Sequence, residues 1–353
     1  RRNADMGIVY TPLHGTGYRM VPQVLRMYGF RNVYSVEEQS ITDGNFPTLR
    51  SPNPEEPDAL AMALNLAREK NADLVMATDP DADRLGIAVR KPSGEFVLLN
   101  GNQTGALLTW YIISQKKQKG DLKGNEYIIS TIVTSDLLDL IAEKNGVKCH
   151  NVLTGFKFFA ALMRDLEGKE KYIGGGEESF GYLPGDYVRD KDGVASCALV
   201  AEAAAWAADH GKSIWKLLLD IYAEYGLFRE KLVNVVRKGA EGAAEIKSMM
   251  EGYRTSPPAS IAGSRVVRIN DYQLQVSTDP ATGTRTALDF EKSNVLQFFL
   301  ANGTKISVRP SGTEPKIKFY FSTSTTMKET SQFESLWKEL DGRIDAVIKD
   351  MHL

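Results

Sequence analysis

The sequence predicts two tandem three-layer α/β domains followed by an α+β domain, and three observations carry that prediction. The chain has 353 residues, which suits two or three domains of roughly 100–150 residues better than one. Up to about residue 228, short apolar runs alternate with stretches of helical period, the βα rhythm of a layered, largely parallel sheet. Near Leu232 that rhythm gives way to short strand-like runs divided by turns and closed by an amphipathic helix. Boundaries follow at 1–98, 99–228 and 229–353.

In the first domain, residues 6–10 read as a strand. Residues 18–28 read as a helix, with Val21, Val24, Leu25 and Tyr28 at helical spacing. Residues 33–36 form a second strand, Leu60, Ala63, Leu64 and Ala67 line one helix face, and residues 73–77 form a third strand. The pattern then restarts: helix 105–113, strand 127–131, helix 137–142, strand 147–152, helix 157–166, strand 172–173, and helices over 194–208 and 213–225. Two such units in tandem suggest a distant internal duplication.

In the last domain, strands are expected at 265–269, 272–276, 286–289, 297–300, 305–308 and 316–321. Thr282-Gly283 and Asn302-Gly303 turn the chain between some of them. The closing helix, 331–351, carries Phe333, Leu336, Trp337, Leu340, Ile344 and Ile348 on one face.

Composition narrows the function classes. With 42% hydrophobic residues, 25% charged residues and a net charge of −2, nothing points to nucleic acid or a membrane surface as partner. No apolar run approaches the ~18 residues of a membrane span. The two cysteines, Cys149 and Cys197, are far apart; they offer no zinc site and fit a reducing cytoplasm. The first residues, Arg1-Arg2-Asn3-Ala4-Asp5, contain no signal-peptide apolar segment. A strand begins almost at once in a chain that does not start with Met, so a piece of a longer protein is expected.

Three loops carry chemistry. Thr78-Asp79-Pro80-Asp81-Ala82-Asp83-Arg84 follows the 73–77 strand, at the strand end where open α/β sheets bind ligands. Asp79, Asp81 and Asp83 alternate, and three such carboxylates repel one another unless a cation sits among them. Hard oxygen donors suit Mg²⁺. An EF-hand does not fit, because Arg84 and Arg90 stand where that loop needs Gly and Glu. Spacing alone also allows a solvated acidic turn.

The second loop is Gly174-Gly175-Gly176-Glu177-Glu178-Ser179-Phe180-Gly181. Its glycines let backbone approach a ligand closely, and Glu177 with Ser179 could face neighbouring sugar hydroxyls; a plain strand-to-helix turn is the alternative. The third is Arg309-Pro310-Ser311-Gly312-Thr313-Glu314-Pro315. Its arginine fork, hydroxyls and exposed backbone donors suit phosphate, against the alternative of a hairpin with incidental polarity. Thr11 to Gly17 follows the first strand like a ligand loop but is not GxGxxG, so a dinucleotide site is not expected. Lys157, after Gly155-Phe156, and Lys191, in Arg189-Asp190-Lys191-Asp192-Gly193, could meet a phosphate or donate a proton; each alone also reads as a surface lysine.

In order, the motifs T-P-L-H-G-T-G, D-P-D-A-D-R, T-G-F-K, G-E-E-S-F-G, R-D-K-D-G and R-P-S-G-T-E-P resemble the α-D-phosphohexomutase family, in its phosphoglucomutase/phosphomannomutase branch, from residue 7 to about 345. The resemblance implies the family's second, third and fourth domains, the last being a TATA-binding-protein-like α+β domain. It also implies that the first domain, with its catalytic serine in a T-A-S-H-N-P-like motif, is missing. Ser51-Pro52-Asn53-Pro54 is a look-alike inside what resembles a structural stretch of domain two.

The resemblance assigns Asp79, Asp81 and Asp83 as Mg²⁺ ligands, Arg84 beside the transferring phosphoryl group, and Glu177 and Ser179 to sugar hydroxyls. It assigns Arg309, Ser311, Gly312 and Thr313 to a phosphate, Lys157 to the substrate cleft, and Lys191 to acid/base or phosphate contact, with His14 as a further candidate. The implied reaction interconverts hexose 1-phosphate and 6-phosphate through a phosphoserine and a hexose 1,6-bisphosphate. The chain alone is expected to be inactive and to bind metal weakly. A phosphopentomutase and a non-catalytic sugar-phosphate-binding module are the alternatives.

Overall fold

In the computed structural model, which describes residues 4–237, 239–312 and 315–353, the first strand, β1 (Gly7–Thr11), is buried along its whole length. Such an unbroken run is expected of a central strand covered on both faces. The helix α1 (Gly17–Met27), the strand β2 (Asn32–Ser35), the helix α2 (Ala61–Glu69) and the strand β3 (Leu74–Thr78) follow. β1 pairs in parallel with β2 and with β3. Ile8, Val9, Tyr10, Val75, Met76 and Ala77 have no exposed surface; burying a side chain such as Ile8 contributes about 1.5–3 kcal/mol.

Two strands that periodicity did not reveal complete this sheet. β4 (Leu85–Arg90) returns antiparallel to β3, and β5 (Phe96–Leu99) returns antiparallel to β4. The order is β2-β1-β3-β4-β5, so the sheet is mixed rather than largely parallel. β4 is buried on both faces and β5 has only four residues; neither displays an alternation to read. Their turn closes on Gly94, at φ +88°, with Lys91 N–H donating to Glu95 C=O at 2.8 Å.

The second layered element starts with the helix α3 (Gly101–Lys119). The Asn100 side chain accepts from Gln103 N–H at 2.8 Å and the Gln103 side chain accepts from Asn100 N–H at 3.0 Å, a reciprocal cap that satisfies two orphan donors. β6 (Glu126–Thr131), α4 (Leu137–Lys144), β7 (Lys148–Val152), α5 (Phe156–Leu166), β8 (Lys171–Gly176) and β9 (Tyr182–Leu183) form a sheet ordered β7-β6-β8-β9. β6 is parallel to β7 and β8, and β9 is antiparallel to β8. Helices α6 (Gly193–Asp209) and α7 (Ile214–Tyr225) follow, and Asp192 caps α6 by accepting from Ala195 N–H at 2.9 Å.

The glycine run read as ligand-facing belongs to β8. A Cβ on Gly175 would come within 2.1 Å of the Ile129 carbonyl, where the β6–β8 register shifts, and one on Gly176 within 2.5 Å of the Gly181 carbonyl. These glycines admit neighbouring strands.

The chain divides into two units, Arg1–Ile221 and Tyr222–Leu353. The second is built on an antiparallel sheet of β10 (Leu227–Val236), β11 (Ser260–Ile261), β12 (Ser264–Asp271), β13 (Val276–Thr278), β14 (Arg285–Ala287), β15 (Leu296–Leu300), β16 (Lys305–Pro310) and β17 (Lys316–Thr325). The main path is β10-β17-β16-β15-β12-β13-β14, with β11 paired to β12.

Helices α8 (Gly239–Thr255) and α9 (Phe333–Asp350) supply Ile246, Met250, Ile344 and Val347 to a core completed by Phe298, Ile317, Phe319 and Phe321. α8 escaped the sequence reading because Gly239, Gly242 and Gly252 interrupt it and only a narrow stripe is buried. The strand expected at 272–276 is instead a turn, with Gln275 at φ +56°, and β13 begins at Val276.

Candidate functional site

The acidic loop sits at the C-terminal end of β3, between it and β4. Asp79 is 8% exposed, and its Oδ1 accepts from Asp83 N–H at 3.1 Å and Arg84 N–H at 2.9 Å. Ala82 N–H donates to Asp79 C=O at 3.0 Å, and Ala82 is left-handed at φ +59°. These bonds curl the loop so that carboxylate oxygens of Asp79, Asp81 and Asp83 all lie within 4.8 Å of one another.

Two cations flank the three carboxylates. Arg84 Nε lies 3.6 Å from Asp79 Oδ2 and 3.9 Å from Asp83 Oδ1, and its Nη1 lies 3.5 Å from Glu55 Oε1. Lys191 Nζ lies 2.8 Å from Asp83 Oδ2. Burial pushes the Asp79 carboxyl up to about 7; Asp83 and Asp81 push the same way, against the Arg84 backbone donor and guanidinium. Asp83 Oδ1 is buried without a hydrogen-bond partner. An orphaned buried carboxylate oxygen among all-oxygen donors fits a hard divalent cation, with Asp79, Asp81 and Asp83 as its holders.

Distant segments brace this loop. Thr16 N–H donates to Pro80 C=O at 2.8 Å, and a Cβ on Gly15 would come within 2.3 Å of Pro80 Cα. Gly193 N–H donates to Ala82 C=O at 3.0 Å, which a Cβ on Gly193 would approach to 2.6 Å. Leu85 N–H donates to Phe180 C=O at 2.9 Å, and Arg84 bridges Gly181 in antiparallel fashion. The N-terminus of α3 presses on the same place, since a Cβ on Gly101 would meet the Glu178 carbonyl at 2.1 Å. Leu13, His14, Ala82 and Phe180 all carry positive φ in these loops, a concentration of backbone strain typical of functional sites.

The remaining candidates fall out unevenly. Glu177 is 7% exposed, and its Oε1 accepts from Gly155 N–H at 2.7 Å. Glu178 turns the other way, to the hydroxyls of Thr131 at 3.4 Å and Thr134 at 3.3 Å. Ser179 is half-buried and Lys157 exposed, the latter over the Phe158 ring at 4.8 Å. His14 is only 2% exposed; its ring nitrogens lie 2.9 Å from the Ile41 carbonyl and 2.8 Å from the Thr48 hydroxyl. In this structure His14 ties down the 41–48 segment, and its ring is not presented to solvent.

The look-alike Ser51–Pro54 stretch is structural, with Pro54 against Gly86 of β4. Burial and the nearby Asp139 push the Cys149 thiol up from its ordinary value, which disfavours the thiolate. Glu55, the partner of Arg84, went unnoticed in the sequence; 29 residues separate the two and no local motif marks it.

In the second unit, Arg309 is a half-buried residue of β16 and Gly312 is exposed. Ser311 N–H donates to Lys316 C=O at 2.8 Å, closing the β16–β17 hairpin. A cavity of ≈ 390 Å³ beside it is lined by Ser311, Lys316, Lys247 and Arg254 among others. Thr313 lies outside the described residues.

Fold and site together define a layered α/β protein with a cluster of three aspartates, able to hold a metal ion, at a sheet edge. Residues 1–94 match the family model for phosphoglucomutase/phosphomannomutase α/β/α domain II, and residues 100–225 match domain III. A phosphoglucomutase of Staphylococcus haemolyticus is 36% identical over 90% of this chain, and one of Staphylococcus aureus is 40% identical over the same share. The chain spans 57% of the length of these relatives. Among solved structures, the phosphoglucomutase parafusin of Paramecium superposes with a TM-score of 0.62 at 18% identity, covering 98% of this chain and 58% of that one. The chain belongs to the phosphoglucomutase/phosphomannomutase family. Among the described residues, no helix is long and apolar enough to cross a membrane.

Proposed function

We propose that this chain supplies the cation-binding, sugar-gripping and phosphate-binding parts of a phosphohexomutase that interconverts hexose 1-phosphate and hexose 6-phosphate. The observation that carries this reading is the convergence of Asp79, Asp81 and Asp83 within 4.8 Å, flanked by Arg84 and Lys191. Phosphoryl transfer between sugar hydroxyls depends chiefly on positioning and on stabilising charge at the transferring group. Mg²⁺ held by the three aspartates supplies electrostatic stabilisation of that charge.

This chain's own residues do the rest of the work proposed here. Arg84, its guanidinium held by Glu55 and Asp79, presents donors to the phosphoryl oxygens. Glu177 and Ser179 grip sugar hydroxyls, and Lys157 adds a positive charge at the start of α5. Arg309, Ser311, Gly312 and Thr313 bind a phosphate. Lys191 serves as the phosphate contact or proton donor.

The nucleophile in this proposal is a phosphorylated serine outside these 353 residues, and the bisphosphate is the intermediate it exchanges with. The chain by itself is therefore expected to bind hexose 1,6-bisphosphate with Mg²⁺ but not to turn over. A coupled assay of glucose 1-phosphate to glucose 6-phosphate conversion by the purified chain tests this. Turnover above the uncatalysed background would overturn the inactivity, and failure to bind the bisphosphate would overturn the binding role.

A further inference from the structure

We propose that Lys191 is a tethered competitor for the cation loop: its ammonium and a divalent cation draw on the same carboxylate, so cation binding displaces Lys191 into the surrounding loop cluster. This rests on the cation-loop reading above and adds an exchange to it.

The geometry sets up that exchange. Lys191 Nζ is 2.8 Å from Asp83 Oδ2, and its side chain is 18% exposed. Asp83 Oδ1 is buried with no hydrogen-bond partner, so Lys191 satisfies one oxygen of a carboxylate whose other oxygen is left wanting. A cation gathered by all three aspartates would sit beside that ammonium. Two positive charges a few ångströms apart on one carboxylate repel, and the divalent ion, with three oxygen ligands against one, holds the advantage.

The side chain can yield because, Asp83 apart, its ammonium is paired with the exposed Asp190 carboxylate at 3.4 Å, while its backbone is firmly anchored. Lys191 N–H donates to Asp190 Oδ1 at 2.8 Å. Asp192 N–H donates to Tyr182 C=O at 3.0 Å, and Gly193 N–H to Ala82 C=O at 3.0 Å. These bonds fix the base of the tether against the cation loop itself. The stem beyond is aliphatic and runs past Gly181, where a Cβ would come within 2.5 Å of Lys191 Cδ; glycine there leaves the stem its room.

There is also a place for the displaced ammonium. Nζ already lies 5.5 Å from the Phe156 ring centroid. Phe156 begins α5 next to Gly155, whose N–H is held by Glu177. Ammonium on an aromatic face keeps part of its stabilisation without the carboxylate. Displacement therefore moves a positive charge from the carboxylates toward the Glu177 loop, so loading the cation also readies a second charge for an anionic ligand. Lys191 acts here through Asp83, as a competitor of the cation.

The test uses the full chain and Mg²⁺ alone. Titration calorimetry is run on the wild type, on Lys191→Met, which keeps the aliphatic stem, and on Lys191→Arg, which keeps the charge. Lys191→Met is expected to bind Mg²⁺ roughly five- to tenfold more tightly, the weight of one partly buried ion pair, with Lys191→Arg staying near wild type. Equal or weaker binding by Lys191→Met overturns the proposal.

Amine labelling of the wild type, read residue by residue by mass spectrometry, needs no variant to fold. Mg²⁺ is expected to raise the labelling of Lys191 several-fold, and no change or protection overturns the proposal. If no protein binds Mg²⁺ at all, the cation loop falls together with the exchange. Equal affinities with unchanged labelling remove only the exchange.

Discussion

The acidic loop after β3 and the basic hairpin between β16 and β17 are both short strand-end loops rich in charge, yet they are built on different principles. The acidic loop is held by segments from across its unit: the 12–17 loop through Pro80, Gly193 through Ala82, and Phe180 with Gly181 through Leu85 and Arg84. Among the described residues, the hairpin is closed by Ser311 N–H donating to Lys316 C=O and is tied to the end of β10 by Arg237 N–H donating to Pro315 C=O at 2.9 Å, while a Cβ on Gly312 would meet nothing within 4 Å. The difference follows from charge. Three carboxylates within 4.8 Å resist convergence, so many contacts must over-determine their loop. At the hairpin no such cluster of like charges has to be gathered, and fewer braces suffice among the described residues.

The sharpest way to break this comparison is at Asp79, which is both a proposed cation holder and the acceptor that curls its loop. Asp79→Ala is expected to weaken Mg²⁺ binding by a hundredfold or more, roughly the ~3 kcal/mol of a lost ligand plus two charge-assisted hydrogen bonds, measured by calorimetry. A loss under about fivefold would show that the loop holds its cation by other means.

Next in size is a pair of glycine substitutions. Gly193→Ala would push against Ala82 C=O at 2.6 Å and Arg84 C=O at 3.0 Å, so a cost of about 1–3 kcal/mol is expected in denaturant unfolding. A fall in Mg²⁺ affinity should accompany it, although Gly193 lies far along the chain from the loop. Gly312→Ala should change stability by less than about 0.5 kcal/mol. Equal effects of the two would abolish the distinction between a heavily braced loop and a lightly braced one.

At the hairpin, Arg309→Lys is expected to weaken binding of a hexose monophosphate several-fold while leaving the melting temperature unchanged, because lysine keeps the charge but loses the bidentate fork. Undiminished binding would remove Arg309 from the proposed phosphate contacts.

A pH dependence at Asp79 tests the same loop without its cation. Its carboxyl is raised from the ordinary value near 3.8 to about 7 by burial and by the other two aspartates. Between those values an unfolded chain has given up a proton that the folded loop still holds. Raising the pH from about 4 to about 7 therefore favours unfolding through this group, and the contribution is fully lost above the folded value. In chelator the melting temperature should drift down across that window by this contribution, and Asp79→Asn should flatten the drift. Mg²⁺ binding measured at about pH 6 should release protons. An Asp79→Asn profile identical to wild type would show that Asp79 does not titrate there.

Much of the fold could be read from local patterns. β1, β3 and β6 are apolar runs bounded by turns, and α9 carries one apolar stripe; each states its nature within a dozen residues. β4, β5 and α8 could not be read that way. β4 is buried on both faces, β5 is too short to alternate, and α8 buries little more than Ile246 and Met250 while carrying three glycines. Their character depends on what they pack against. The packing role of the β8 glycines could not be read for the same reason, since a glycine that admits a strand and one that admits a ligand look alike until the neighbour is known.

By itself, the sequence determined which chemical groups are present and their chain order: the alternating aspartates, the paired glutamates before Ser179, and the arginine hairpin. These are properties of spacing along one strand end, and a covalent chain preserves spacing whatever its fold. The tertiary structure alone decided which of these groups meet. It set Lys191 on Asp83 and Glu55 on Arg84, turned Glu177 to the start of α5 and Glu178 to the end of β6, and buried both nitrogens of His14 in hydrogen bonds. Such pairings join residues tens of positions or more apart, where packing and desolvation, acting through space, fix what sits beside each charge.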